Sequence, residues 1–334
     1  MRHTSKIDVS VIILTYNSAR TIERCIKSLL AQKLSNIKYE IIILDGGSTD
    51  DTLTLIERYL TSSKYEIVTR IIPNSTIGKR RNIGVTMARG NFVAFIDSDC
   101  IADPCWLKTL FEKISSIKDE KIVGVGGPNL IPPDATKISR VIMSIQKTFL
   151  GSGGSPGFYE IKEERSVYTI ANCNAIYKKH ALLAEKYDDE LNIGEDADIN
   201  FRLVKKGYKL LYVPKAVVWH YQYFSTKDFL KKMFKYGAAA AKLTKKHKTL
   251  LRWYSILAPI AVISLFLMIL LSYSFQFLKI ILFTSFLGLF SISLITSMQV
   301  FRKTRSLYSS LVIILLPLQY ICYGLGFLKG LIFD

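Results

Sequence analysis

The last eighty residues before the final Asp334 constrain this chain most: between positions 254 and 333 the only charges are Lys279, Arg302, Lys303, Arg305 and Lys329. A soluble core does not absorb an apolar stretch of that length. Segments 254–272, 277–300 and 307–327 each approach the ~20 apolar residues that cross a hydrocarbon layer, so three transmembrane helices are expected. Pro317 is positioned to kink the third. Short loops rich in Lys and Arg stay in the cytoplasm, which places residues 302–305, and with them the N-terminal region, on that side. Lys329 then falls on the far side, against the trend. The mean hydropathy of +0.23 agrees with an integral membrane protein rather than an ordinary soluble enzyme. The apolar run Val9 to Leu14 is too short for the core of a signal peptide and is better read as a buried strand.

Charge is the second constraint. Lys and Arg number 45 against 27 Asp and Glu, a net +18, and such an excess faces something anionic. Much of it lies at 226–252, where Lys227, Lys231, Lys232, Lys235, Lys242, Lys245, Lys246, Lys248 and Arg252 are opposed only by Asp228. At 100° per residue Phe229, Met233, Tyr236, Ala240 and Leu243 form one stripe, extended by Leu230, Phe234 and Gly237, with Lys231, Lys235, Lys242 and Lys246 opposite. This pattern predicts a basic amphipathic helix lying on an anionic membrane surface. No RNA- or DNA-binding signature is present, so nucleic acid is not an expected partner. The five cysteines are scattered without a CxxC pair and read as reduced thiols, neither a disulfide framework nor a zinc knuckle.

The first 225 residues alternate short Val- and Ile-rich runs (9–15, 40–44, 67–72, 92–96, 122–126) with stretches of helical spacing (18–32, 49–62, 78–89). Alternation of this kind predicts an α/β domain, a mainly parallel sheet covered by helices on both faces. Ligands bind such sheets at the carboxyl ends of the strands. Thr15, Tyr16 and Asn17 stand at one such end, Asp45 at a second and Asp97-Ser98-Asp99 at a third. Two carboxylates one residue apart there are suited to gripping Mg²⁺ or Mn²⁺ through oxygen; capping the helix expected at 104–115 is the structural alternative. The GSGGSPG run at 151–157 cannot hold a regular element and reads as a loop, either a lid or a linker.

Several motifs then fall in order: VIILTYN at 11–17, YEIIILDGGSTDDT at 39–52, Arg81-Asn82 with Gly84, Ala88-Arg89-Gly90, FIDSD at 95–99, and Gly194-Glu195-Asp196 followed by Arg202, Gly207 and His220. In order and spacing, from Val9 to about His220, they resemble the family 2 glycosyltransferases. The resemblance implies a GT-A fold, Rossmann-like, a nucleotide-diphosphate-sugar donor (a UDP- or GDP-sugar) and inversion at the anomeric carbon. By the same resemblance Asp45 binds the nucleobase, Thr15 and Asn17 line the nucleotide pocket, and Arg81 belongs to the donor site. Leu14 stands where the family often has proline. Asp99 is implied as the main metal ligand, with Asp97 on the ribose or on metal-bound water. His220, after a strand expected at 210–219, matches a histidine that reaches the metal; packing beside Trp219 is its structural alternative. Asp196 matches the general base. Glu195, Asn172, Asn174 and Arg202 are placed on the acceptor side, although Asn172 and Asn174 are equally suited to capping a strand.

Three regions are therefore expected: a GT-A domain at 1–225, the interfacial helix at 226–252 and a transmembrane region at 253–334. The function this implies is a multi-pass enzyme of the cell membrane with a cytoplasmic catalytic domain. It would transfer sugar to a polyprenyl or dolichyl phosphate or diphosphate acceptor. A processive polysaccharide synthase is the near alternative, against which Thr249 stands where a Gln-x-x-Arg-Trp motif needs its Gln before Arg252-Trp253. An inactive membrane scaffold is the other; the intact Asp45, Asp97, Asp99 and Asp196 speak against it.

Overall fold

A computed structural model describes residues 7–34, 36–60, 65–153, 161–248 and 253–333. The chain forms two compact units: Met1–Pro132 with Glu160–Tyr221, and Pro133–Tyr159 with Gln222–Asp334.

In chain order the elements of the first unit begin with β1 (Val9–Thr15), α1 (Ile22–Leu30), β2 (Tyr39–Asp45), α2 (Thr52–Leu60), β3 (Ile67–Ile71) and α3 (Ile77–Met87). Next come β4 (Phe92–Asp97), β5 (Cys100–Ala102), α4 (Trp106–Ser116), β6 (Ile122–Gly126) and β7 (Asn129–Leu130). Helices α5 (Lys137–Gln146) and α6 (Phe149–Ser152) belong to the second unit. The first unit resumes with β8 (Arg165–Val167), β9 (Asn174–Lys178), α7 (Lys179–Glu185), α8 (Glu195–Lys205), β10 (Lys209–Tyr212) and β11 (Val218–His220).

Its main sheet has the order β3-β2-β1-β4-β9-β6-β10-β8. From β3 to β4 every pair is parallel; β9 then runs antiparallel to both β4 and β6. Strand periodicity divides β1 between two cores. Val9, Val11 and Ile13 join the cluster containing Ile22, Ile26 and Trp106, while Ile12 and Leu14 join the one containing Val85, Ile199 and Leu203. Helices therefore cover both faces. Parallel β1, β2 and β4 end together, so Thr15, Asp45 and Asp97 share one rim of the sheet. The strand expected at 210–219 is two strands in two sheets, β10 and β11. Pro214 lies between them, where the missing N–H cannot serve a ladder and a turn closes from Ala216 N to the Val213 carbonyl.

The second unit consists of α5, α6, α9 (Thr226–Lys246), α10 (Trp253–Leu271), α11 (Gln276–Thr304) and α12 (Val312–Phe333). Ser225 caps α9, its hydroxyl accepting from Asp228 N at 3.1 Å. Helices α9 and α12 run in the same direction at close range. A Cβ at Gly326 would overlap the Phe234 carbonyl, one at Gly330 would meet Ala238 and Ala241, and one at Gly237 would overlap the Tyr323 carbonyl. Small residues on both helices let the backbones touch. Of the expected apolar stripe, Phe229, Met233, Gly237 and Leu243 are buried inside the unit, while Leu230, Phe234, Tyr236 and Ala240 are half-buried. Periodicity reveals an apolar face but not what covers it. The helix also ends at Lys246, and residues 249–252 lie outside the described ones.

Among the described residues two helical stretches are long and apolar enough to cross a membrane, Gln276–Thr304 and Leu307–Phe333, with Ser255–Leu271 shorter. The best window of the first is 6% buried and that of the second 39%, so the second packs more of its surface within its own unit than the first does. Gln319 of α12 is buried there, donating to the Gly151 carbonyl at 2.7 Å and accepting from Gln146 at 2.9 Å. The chain's division differs from the expected boundary at 225 in one respect: Pro133–Tyr159 packs with the C-terminal helices. Of the glycine-rich 151–157 run, Gly151 and Ser152 close α6 and Gly153 takes a left-handed φ of 61°; residues 154–160 lie outside the described ones.

Candidate active site

The DSD triplet leaves the end of β4 into β5, and β11 pairs antiparallel with β5, His220 opposite Cys100. This pairing brings His220 Nε2 to 3.2 Å from Asp99 Oδ1. Asp97, Asp99 and His220 each place a ligand atom within 4.8 Å of the others. Two carboxylates and an imidazole suit a hard or borderline divalent cation such as Mg²⁺ or Mn²⁺. Burial works against charge on His220, but the Asp99 carboxylate and Cys173 outweigh it and raise its pKa well above the usual imidazole value.

Arg81, on α3, ties this cluster to the acidic start of α8. Its guanidinium is buried, with Nε 3.1 Å from Glu195 Oε1 and Nη2 3.6 Å from Asp97 Oδ1, over the Phe95 ring at 4.9 Å from its centroid. Burial raises the carboxyl of Glu195 to about 7, against the pull of Arg81. Asp196, half-buried and next in sequence, is also raised by burial, while Arg81 and the N–H groups of Ala197 and Asn172 hold it down. Gly194 begins the helix with a φ of 83°, a left-handed conformation that glycine takes without strain. The family resemblance pairs Arg81 with Asn82; the structure separates their tasks, since Asn82 clamps residues 187–189 through the Tyr187 backbone and Asp189 Oδ1.

At the ends of β1 and β2 the loops grip each other. Asp45 is wholly buried: Oδ1 accepts from Gly47 N at 2.8 Å and Ser48 N at 2.7 Å, and Oδ2 accepts the Ser48 hydroxyl at 2.5 Å. Asn17, with a left-handed φ of 49°, uses its carbonyl on Thr49 N at 2.8 Å. Its side-chain carbonyl ties the loops together, and Asn17 stays exposed at the rim. Arg80 donates to the Thr15 carbonyl at 2.8 Å. Thr15 Oγ1 and Arg80 Nε are buried beside Asp45 without a hydrogen-bond partner.

Three residues placed on the acceptor side make structural contacts. Asn174 is fully buried, accepting from Trp106 Nε1 and donating to the carbonyls of Pro128 and Ala216, which fastens β9 to neighbouring loops. Asn172 is enclosed between the hydroxyls of Tyr177 and Tyr187. Arg202 reaches back to Asp198 and to the carbonyls of Glu185 and Lys186, closing the end of α7. Polar residues near a motif are ambiguous in sequence because folding has many uses for an amide or guanidinium. Arg80 reads in sequence, with Lys79, as extra positive charge beside Arg81, but its place beside Asp45 and the approach of Cys100 and Cys173 to His220 carried no local signal, since their partners are remote in sequence.

Residues 10–182 match the family model described as Glycosyl transferase family 2. A dolichyl N-acetyl-alpha-D-glucosaminyl phosphate 3-beta-D-2,3-diacetamido-2,3-dideoxy-beta-D-glucuronosyltransferase of Methanococcus voltae is 30% identical over 336 residues, 97% of each chain. Glycosyltransferase AglE of Haloferax volcanii is 25% identical over 240 residues, 69% of this chain and 71% of its own. The mannosyltransferase PcManGT from Pyrobaculum calidifontis, in complex with GDP-Man and Mn²⁺, has a TM-score of 0.52 at 18% identity, over 69% of this chain and 62% of that one. At that identity the likeness speaks for the fold.

Proposed function

Because the chain belongs to glycosyl transferase family 2 and is a glycosyltransferase with a GT-A-like first unit, we propose that it is a membrane-bound, inverting enzyme that transfers sugar from a UDP- or GDP-sugar to a lipid-linked acceptor. The observation that carries this reading is the convergence of Asp97, Asp99 and His220 in one ligand sphere, joined through Arg81 to Glu195 and Asp196. The Methanococcus voltae relative, matched over nearly its whole length, supports a polyprenyl or dolichyl phosphate or diphosphate carrier for the acceptor.

Thr15, held by Arg80 through its carbonyl, and Asp45, which grips the loop at Gly47 and Ser48, form the nucleotide end of the site. Asp97, Asp99 and His220 would hold Mg²⁺ or Mn²⁺, which when bound neutralises charge on the diphosphate leaving group. Asp196 takes the proton of the attacking hydroxyl; its raised pKa brings the carboxylate closer in basicity to that task. Attack from the side opposite the nucleotide inverts the anomeric centre. Glu195, turned inward to Arg81, positions the start of α8.

The second unit attaches the enzyme to the membrane. Lysine in hydrocarbon costs about 2.5–3.5 kcal/mol each, so α9, with exposed Lys231, Lys235, Lys245 and Lys246, belongs at the headgroups. Its close packing with α12 keeps α12 there too, leaving α10 and α11 as a membrane hairpin with residues 302–305 cytoplasmic. Lys329, over the Phe234 ring at 5.9 Å, then no longer sits on the wrong side.

Membranes containing the protein, incubated with Mn²⁺ and a panel of radiolabelled UDP- and GDP-sugars, should yield label in the organic extract with one donor. Asp99→Ala or excess chelator should abolish it. Label that enters only water-soluble polymer, with every donor, would overturn the lipid-acceptor reading.

A further inference from the structure

Cys100, Cys173 and His220 place two thiol sulfurs and an imidazole nitrogen within 4.8 Å of one another. Both thiols are free and buried, at 1% and 6% exposure. Cys100 lies on β5 and His220 on β11, paired in one sheet, and Cys173 is in the turn that enters β9, so the trio is held by backbone close to the sheets. The same imidazole belongs to the oxygen-rich set with Asp97 and Asp99. One histidine therefore stands between a hard-ligand pair and a soft-ligand pair.

We propose that Cys100, Cys173 and His220 form a binding site for a thiophilic divalent cation such as Zn²⁺, whose occupancy withdraws His220 from Asp97 and Asp99 and inhibits transfer. Around tetrahedral zinc, with bonds of roughly 2.0–2.3 Å, neighbouring ligand atoms lie roughly 3.3–3.8 Å apart, so small side-chain adjustments close the trio. Thiolate favours Zn²⁺ strongly over Mg²⁺ or Mn²⁺, and the carboxylate pair alone has the opposite bias. Binding releases the thiol protons to solvent. Asp99, partly exposed, lies 3.2 Å from His220 Nε2 on the solvent side of the trio's histidine. The inhibition rests on the transferase reading above; the site itself does not.

The full chain in detergent, stripped of metal, is titrated with Co²⁺ as a spectroscopic probe. A sulfur-to-cobalt charge-transfer band is expected, lost in Cys173→Ser and in Cys100→Ser and retained in Cys105→Ser, which alters an exposed thiol. Alanine at the two buried positions repeats the test without a buried hydroxyl, should serine unfold the chain. In assays supported by Mn²⁺, Cys173→Ala should raise the Zn²⁺ concentration for half-inhibition by at least the ~10–100-fold that loss of even an outer-shell partner causes. A missing band in the unaltered chain, or one that survives both cysteine replacements, overturns the site. A band without Zn²⁺ inhibition overturns the regulatory half alone, and absence of any transfer activity touches only the earlier functional reading.

Discussion

Arg81 is the residue on which the site's charge balance turns. It is buried between Asp97 and Glu195, and removing one member of such a group leaves uncompensated charge. Arg81→Met is expected to lower stability by about 3–5 kcal/mol and abolish transfer, measured by melting of the purified protein beside activity. Arg81→Lys keeps the charge but not the planar reach to both carboxylates, so stability should recover further than activity. Glu195 gives a pH signature. Its carboxyl, raised by burial from the ordinary 4.5 to about 7, binds its proton more tightly folded than unfolded. The stability this adds is present below pH 4.5 and is lost as pH rises toward about 7, of order 3 kcal/mol. In Glu195→Gln that decline should flatten, read from melting temperatures across the same window. A parallel decline in both proteins would refute the assignment.

Among elements, the pairing of α9 with α12 depends on glycine. A side chain at Gly326 meets the Phe234 backbone carbonyl, which no rotamer change relieves. Gly326→Val should therefore cost ~3 kcal/mol or more, at the upper end of overpacking penalties, and lower the melting temperature in detergent. Gly288 on α11 provides the control, since an added Cβ there meets nothing within 4 Å. Gly288→Ala should be neutral or slightly stabilising, as alanine favours a helix over glycine. Equal losses at the two positions would mean that the α9–α12 contact does not hold the unit together. The Lys-rich face of α9 was legible from composition and spacing. Its apolar face was legible too, but its partner, some 90 positions later in the chain, was not.

For the whole molecule, the proposed in-plane α12 makes the number of crossings even. A reporter fused after Asp334 should then lie on the same side of the membrane as one fused before Met1, checked by protease access in sealed vesicles. Opposite sides would restore three crossings and send α12 through the bilayer. Local chemistry in the sequence determined much else: strand and helix alternation, the rim bearing Thr15, Asp45 and Asp97, the DSD triplet and the apolar C-terminal region all rest on interactions between near neighbours. The tertiary structure alone decided what depends on remote partners. It enclosed Asn172 and Asn174, turned Arg202 to the end of α7, put Arg81 between two carboxylates and gathered Cys100, Cys173 and His220. It also drew Pro133–Tyr159 out of the α/β unit to join the C-terminal helices. The physical reason is common to all of them: a side chain's type fixes what it is able to bond, while its partner is fixed only when folding brings distant segments together.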